Sequence, residues 1–204
     1  MSDMSKNTNL EIAVEIMAAK IAKTSKEGYT INDEKMQQLI KERKLKGIIF
    51  LGGCFSHDEK RLKQITVPFV LSTISMFEGV DKKIYSSVSV DDVKESKKAV
   101  DCLCEYGHEK IVMLAAQPWD ESISGLRVQG YKKALEERQI PINENLIRYT
   151  FQEETAFTME NGYKLMKELL ESDEEFTAVY AVSDSMVIGA SKAILESGKK
   201  IPED

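Results

Sequence analysis

Arg127 is the residue of this sequence best placed to bind something. It lies in the run GHEKIVMLAAQPWDESISGLRVQGY, from Gly107 to Tyr131. There an apolar stretch, Ile111 to Ala116, reads as a strand. A polar loop with Pro118, Trp119 and Asp120 follows, and Arg127 then opens a helix beside Gly130. The carboxyl ends of strands are where open α/β sheets take small molecules. A guanidinium there can fork two hydrogen bonds onto a carboxylate, a phosphate or a pair of sugar hydroxyls. Its plainer use is a salt bridge to a neighbouring acid, which the positive end of a helix dipole disfavours. Trp119, in the same loop, either stacks on a ligand or packs on its own domain.

The other groups with chemical potential are weaker. Cys102, Cys104 and His108 have metal-ligand types, but helical positions two apart diverge and His108 lies beyond the Gly107 stop, so no tetrahedral site is expected. Cys54 and His57 lack the third group that would orient a catalytic pair. Gly52 and Gly53 follow a strand as in phosphate-cradling loops, without the lysine such loops need. The acid pairs Asp91 with Asp92 and Glu153 with Glu154 read as solvated loop carboxylates. We expect a protein that is not an enzyme and that has no metal and no cofactor.

Composition sets the class. With 204 residues, 42% apolar and 30% charged, the chain is ordinary globular protein. Its net charge of -6 comes from interspersed acids and bases, which argues against its holding DNA unaided. No apolar run approaches the roughly 20 residues of a membrane span, and no signal peptide is evident. Three cysteines beside nine methionines fit a reducing cytoplasm.

Stepping from residue 32 towards the C-terminus, helix and strand patterns alternate, which predicts α/β crossover units around parallel sheets. Met36, Leu39 and Ile40 mark a helix. Gly47 to Leu51 is apolar on both faces, as a central strand should be, and Val67 to Ser72 is a second strand. Val93 to Glu105 is a helix with Ala99, Val100 and Leu103 inward, ended by Gly107. Strand 111–116, helix 124–138, strand 146–149, helix 156–171, strand 177–182 and helix 184–197 complete the order. A short helix is expected at 57–64. Residues 10–21 fit a strand and a helix equally well. Two lobes, 1–107 and 108–204, account for the length.

These segments together resemble the effector-binding domain of LacI/GalR transcription regulators. The matching pieces are KGIIFLGG at 46–53, VPFVL at 67–71, VDDVKESKKAVDCLCEYGHEKIVML at 90–114, LRVQGYKKAL at 126–135, FTMENGYKLMKELL at 157–170 and FTAVYAVSDSMVIGASKAILESGKKIPED at 176–204. The resemblance implies a two-lobed periplasmic-binding-protein-like fold, incomplete here, since the chain looks truncated at both ends. It also implies a sugar or sugar-derivative effector and a homodimer with its interface near 56–64 or 93–105. DNA contact would come only through a helix-turn-helix domain that this chain lacks, and no membrane partner is implied. A solute receptor for a transporter, sharing the fold, is the alternative. By position, Arg127 matches the family's effector-contacting arginine and Phe157 the aromatic that stacks on a sugar ring. Ser183 stands at a contact position often held by asparagine, and Asp184 could cap the following helix. Ser72, with Thr73, stands where the family commonly has Asp-Arg, so one carboxylate acceptor is replaced.

Overall fold

The computed structural model describes residues 23–25, 28–30, 33–51, 62–73, 81, 83–120, 123–150 and 156–204. The segments around 10–21 and 57–61, together with Gly52, Gly53, Cys54, Glu153 and Glu154, lie outside them. Parallel sheets alternate with helices, as the α/β reading predicts. The chain forms two compact units, Met1–Ser89 and Val90–Asp204.

In the first unit, strands β1 (Lys23–Ser25) and β2 (Gly28–Thr30) pair antiparallel. Helix α1 (Asp33–Glu42) buries Met36 and Ile40, one turn apart on one face. Strands β3 (Ile48–Leu51), β4 (Phe69–Ser72) and β5 (Ser86–Val88) form a parallel sheet in that order. Leu62, Phe69, Leu71 and Tyr85 are its buried core, with Phe50 edge-on to Phe69 at 5.8 Å between centroids. The sequence reading made β3 a central strand. In the described sheet it lies at one side, with Ile48 and Phe50 packed on the core and Ile49 59% exposed. Successive side chains of a strand point to opposite faces, so an apolar run does not by itself mean two covered faces.

The second unit runs α2 (Asp92–Glu105), β6 (Ile111–Ala115), α3 (Ile123–Glu137), β7 (Ile147–Tyr149), α4 (Met159–Leu170), β8 (Ala178–Ala181) and α5 (Asp184–Glu196). A single 3-10 turn, Glu144–Leu146, precedes β7. The parallel order is β7-β6-β8. The chain therefore moves to one side of β6 and then back across it. Right-handed crossovers in opposite directions put α3 and α4 on opposite faces. All five residues of β6 are accordingly buried.

Helix α2 packs on α3, and α4 on α5. The first contact is close because Gly130 has no Cβ to strike the backbone and Ser96 of α2. This packing places α2 in the second unit, so the division falls between Ser89 and Val90 rather than at Gly107. Gly107, at φ 88, still ends the helix. On α2 the inward residues are Ser96, Val100 and partly Leu103, whereas Ala99 faces out. Lys97 to Glu137 at 2.8 Å and Asp101 to Arg138, just past α3, at 2.9 Å tie the outer sides of α2 and α3 together, and Lys97 to Asp101 at 2.7 Å links the two groups within α2. Deep in the unit, the Tyr131 hydroxyl donates to the Ile111 carbonyl at 2.8 Å.

Candidate functional site

Because β7, β6 and β8 are parallel, their carboxyl ends share one edge of the sheet. Residues 116–120 leave β6 there towards α3. Val182 and Ser183 leave β8 towards α5, and residues 156–158 lead into α4. Hydrogen bonds continue the ladder past the strand ends: Thr150 N–H donates to the Ala115 carbonyl at 3.2 Å and Val182 N–H to the Leu114 carbonyl at 2.9 Å. The Ala116 N–H donates to the buried Ser124 hydroxyl at 3.0 Å, fixing the start of the β6 loop against α3.

Arg127 is the fifth residue of α3 and is held on two sides. Its Nε donates to Asp92 Oδ1 at 2.9 Å, and its Nη1 donates to the Val182 carbonyl. The Asp92 side chain is 5% exposed and the arginine 33%. The salt bridge that the sequence reading disfavoured is therefore present. Its acid comes from the first turn of another helix, where the dipole favours a carboxylate, and the Gly130 contact brings that helix close. Ser96 adds a second tie, its hydroxyl donating to the Arg127 carbonyl at 2.6 Å. Asp91 caps α2 by accepting from Lys94 N–H at 3.0 Å.

The other expected residues take clear places. Trp119 is 57% exposed in the turn after β6, and Phe157 is 44% exposed just before the α4 cap Thr158. Ser183 is the N-cap of α5, accepting from Met186 N–H at 3.3 Å. Asp184 is the exposed first helical residue, so the serine and not the aspartate does the capping. Ser72 ends β4 in the first unit. There the chain turns through Thr73 at φ 55, whose N–H donates to the Val88 carbonyl at 2.9 Å. The strand order thus gathers Arg127, Trp119, Phe157, Ser183 and Asp184 at one edge. Ser72 stands at the carboxyl end of the other unit's sheet.

Two residues at this edge escaped the sequence reading. Asp92, expected with Asp91 to be a solvated acid, is buried and ion-paired. Gln117, two residues past β6, is 9% exposed, with its Nε2 buried and without a hydrogen bond. A polar side chain straight after the unbroken apolar run Ile111 to Ala116 was the available signal.

Elsewhere, His108 Nδ1 lies 3.0 Å from the Thr177 hydroxyl. Burial pushes the Cys104 thiol up from its ordinary value. Among the described residues, no three His, Cys, Asp or Glu side chains come together as a metal site, and no helix is long and apolar enough to cross a membrane.

Comparison with known proteins gives a consistent picture. The family described as periplasmic binding proteins and sugar binding domain of LacI family matches residues 11–204. The HTH-type transcriptional regulator MalR of Clostridium butyricum is 36% identical over 172 residues, which is 84% of this chain and 50% of that protein. Among solved structures, a complex of the transcriptional regulator CelR with cellobiose is 28% identical with a TM-score of 0.68, covering 84% of this chain and 50% of that one. A LacI-family sugar-binding regulator from Escherichia coli, solved with phosphate, is 27% identical with a TM-score of 0.67, covering 84% and 59%. The chain spans about half the length of the curated relatives it matches.

Proposed function

This chain belongs to the family of periplasmic binding proteins and LacI-type sugar-binding domains, and from that premise we propose that it is the effector-binding region of a LacI-type transcriptional regulator. The effector is a sugar or sugar derivative held at the strand ends of the second unit. The observation that carries this reading is the composition of that edge. A half-tethered arginine stands there with the exposed rings of Trp119 and Phe157, the Ser183 hydroxyl and the Asp184 carboxylate. Flat apolar rings beside hydrogen-bonding groups suit a sugar, which has an apolar face and polar edges. The relatives support it, being regulators, one of them solved with cellobiose. They do not favour the transport-receptor alternative or an enzyme.

In this reading the protein works in the cytoplasm and reports effector binding to DNA through a helix-turn-helix segment separate from these residues. Effector acts only through its different affinities for two conformations, and that difference sets how far it can shift DNA binding. A homodimer is part of the proposal. The 93–105 surface implied by the family resemblance is partly used inside the unit, since α2 packs on α3. The exposed row Val187, Ile188 and Leu195 on α5 is the better-supported face, and sedimentation of an Ile188→Glu variant should show more monomer than wild type.

The decisive experiment is calorimetric titration of the full-length protein with neutral mono- and disaccharides, cellobiose and maltose included. Binding by at least one is expected, weakened about fivefold or more in Trp119→Ala or Phe157→Ala by loss of ring contact. No binding across the panel would overturn the assignment.

A further inference from the structure

We propose that Asp92 sets the ligand charge of this site. By neutralising Arg127 it makes the edge select an uncharged polyhydroxyl ligand and reject phosphorylated or carboxylated sugars. The inference rests on the sugar-binding reading and narrows it.

An unpaired arginine at a strand end is a good oxyanion receptor, because its planar fork matches two oxygens of a phosphate or carboxylate. Here both forks have a donor engaged. The side-on fork includes Nε, which Asp92 occupies at 2.9 Å, and the end-on fork includes Nη1, which Val182 shares. Asp92 is buried, so water cannot replace the arginine as its partner. Pulling the guanidinium onto a ligand anion would strand a carboxylate in the interior.

The surroundings point the same way. Among the described residues of this edge, taken as 116–120, 123–127, 150, 156–160 and 182–186, the charged side chains are Asp120, Arg127, Glu160 and Asp184. One cation faces three acids, and Asp92 cancels it.

The helix N-termini offer no substitute. Thr158 and Ser183 cap α4 and α5, and Glu160 and Asp184 occupy their first turns, answering the partial positive charge that would otherwise draw an anion. A neutral sugar asks for less. The hydrogens of Arg127 not committed to Asp92 and Val182 can donate to hydroxyls, Asp184 can accept from them, and the exposed rings can cover a sugar face.

The test compares wild type with Asp92→Asn, whose amide oxygen can still accept from Nε while the negative charge is gone. Each protein is titrated at low ionic strength with glucose, cellobiose, glucose 6-phosphate and inorganic phosphate, within a wider panel of neutral sugars. Wild type should bind a neutral sugar and neither phosphate compound. Asp92→Asn should gain at least tenfold in affinity for glucose 6-phosphate or phosphate, and adding Arg127→Gln should remove the gain.

If wild type binds glucose 6-phosphate more tightly than every neutral sugar, the inference falls and sugar binding stands. It falls equally if Asp92→Asn folds and shows no gain. If no member of either class binds wild type, the sugar reading itself falls and takes this inference with it. Should Asp92→Asn not fold, the ranking of ligands by wild type alone decides the matter.

Discussion

Strands β4 and β6 are both middle strands of three-stranded parallel sheets, and they are buried differently. Every residue of β6 is buried, while in β4 only Phe69 and Leu71 are, with Val70 and Ser72 half-covered. The second unit supplies helix pairs on both faces of its sheet. The described part of the first unit gives β4 one well-covered face and leaves β5 exposed throughout. The consequence for function is positional. A strand covered on both faces can present groups to a ligand only at its ends, which is where Arg127, Trp119 and Gln117 stand.

The largest effect that would test this contrast is Leu114→Ala. Leu114 is 0% exposed and surrounded by the larger core, so the lost burial and the resulting cavity should cost about 3–4 kcal/mol. Leu71→Ala, on a strand with one well-covered face among the described residues, should cost about 2–3 kcal/mol. Chemical denaturation followed by amide exchange in each strand would measure both. A greater loss for Leu71→Ala than for Leu114→Ala would break the comparison.

Next in size is Arg127→Ala. It leaves Asp92 buried without its cation, and such losses cost about 3 kcal/mol, near the low end for buried pairs because the arginine itself is 33% exposed. Combining it with Asp92→Asn should recover most of that loss in a thermal melt. Loss of sugar binding in Arg127→Ala alone would therefore mix folding with recognition, and Arg127→Lys, which keeps the charge and loses the fork, separates them. If Arg127→Ala is as stable as wild type, Asp92 does not depend on this partner.

The legibility of these features in sequence follows the distance over which each is decided. Strand β6, the Gly107 stop and the order of helices and strands from α2 onward are set by local periodicity and were readable, as was the placing of Arg127 after a strand; the three-residue strands β1, β2 and β5 are too short to carry such a signal. The partner of Arg127 was not readable, because Asp92 lies 35 residues away and meets it only through the contact that Gly130 permits. Likewise Ser96 rather than Ala99 faces inward because its hydroxyl finds a carbonyl of α3, an opportunity invisible to hydropathy. Whether an apolar strand is central depends on its neighbours, which local periodicity does not give; in the described sheet β3 has one, β4. The capping of α5 by Ser183 was half-readable, since Ser and Asp in sequence are both capable caps.

A smaller effect appears at alkaline pH. Burial pushes the Tyr131 phenol up from 10.0 to about 12, and its hydroxyl donates to the Ile111 carbonyl in the second core. The folded state holds this proton more tightly than the unfolded state. Its stabilisation is therefore complete below pH 10 and is lost as pH rises towards about 12. Among the protein's seven tyrosines, absorbance titration should show this phenolate forming late and together with loss of amide protection in β6. Tyr131→Phe should remove that late step, and a normal titration of Tyr131 in the folded protein would show that its site admits water.

The smallest effect belongs to β3 and bears most directly on the contrast between the units. Ile49 is 59% exposed and points away from Ile48 and Phe50, which pack on the first core. An exposed β-branched residue contributes mainly through strand preference and little through burial. Ile49→Ala should therefore cost less than about 1 kcal/mol, well below Leu71→Ala on the neighbouring strand. If calorimetry instead gives Ile49→Ala the cost of a core substitution, another element or a second copy covers that face in the folded protein. The first unit's sheet would then be covered on two sides like β6, and the difference between the units would lie in which contacts form within one chain.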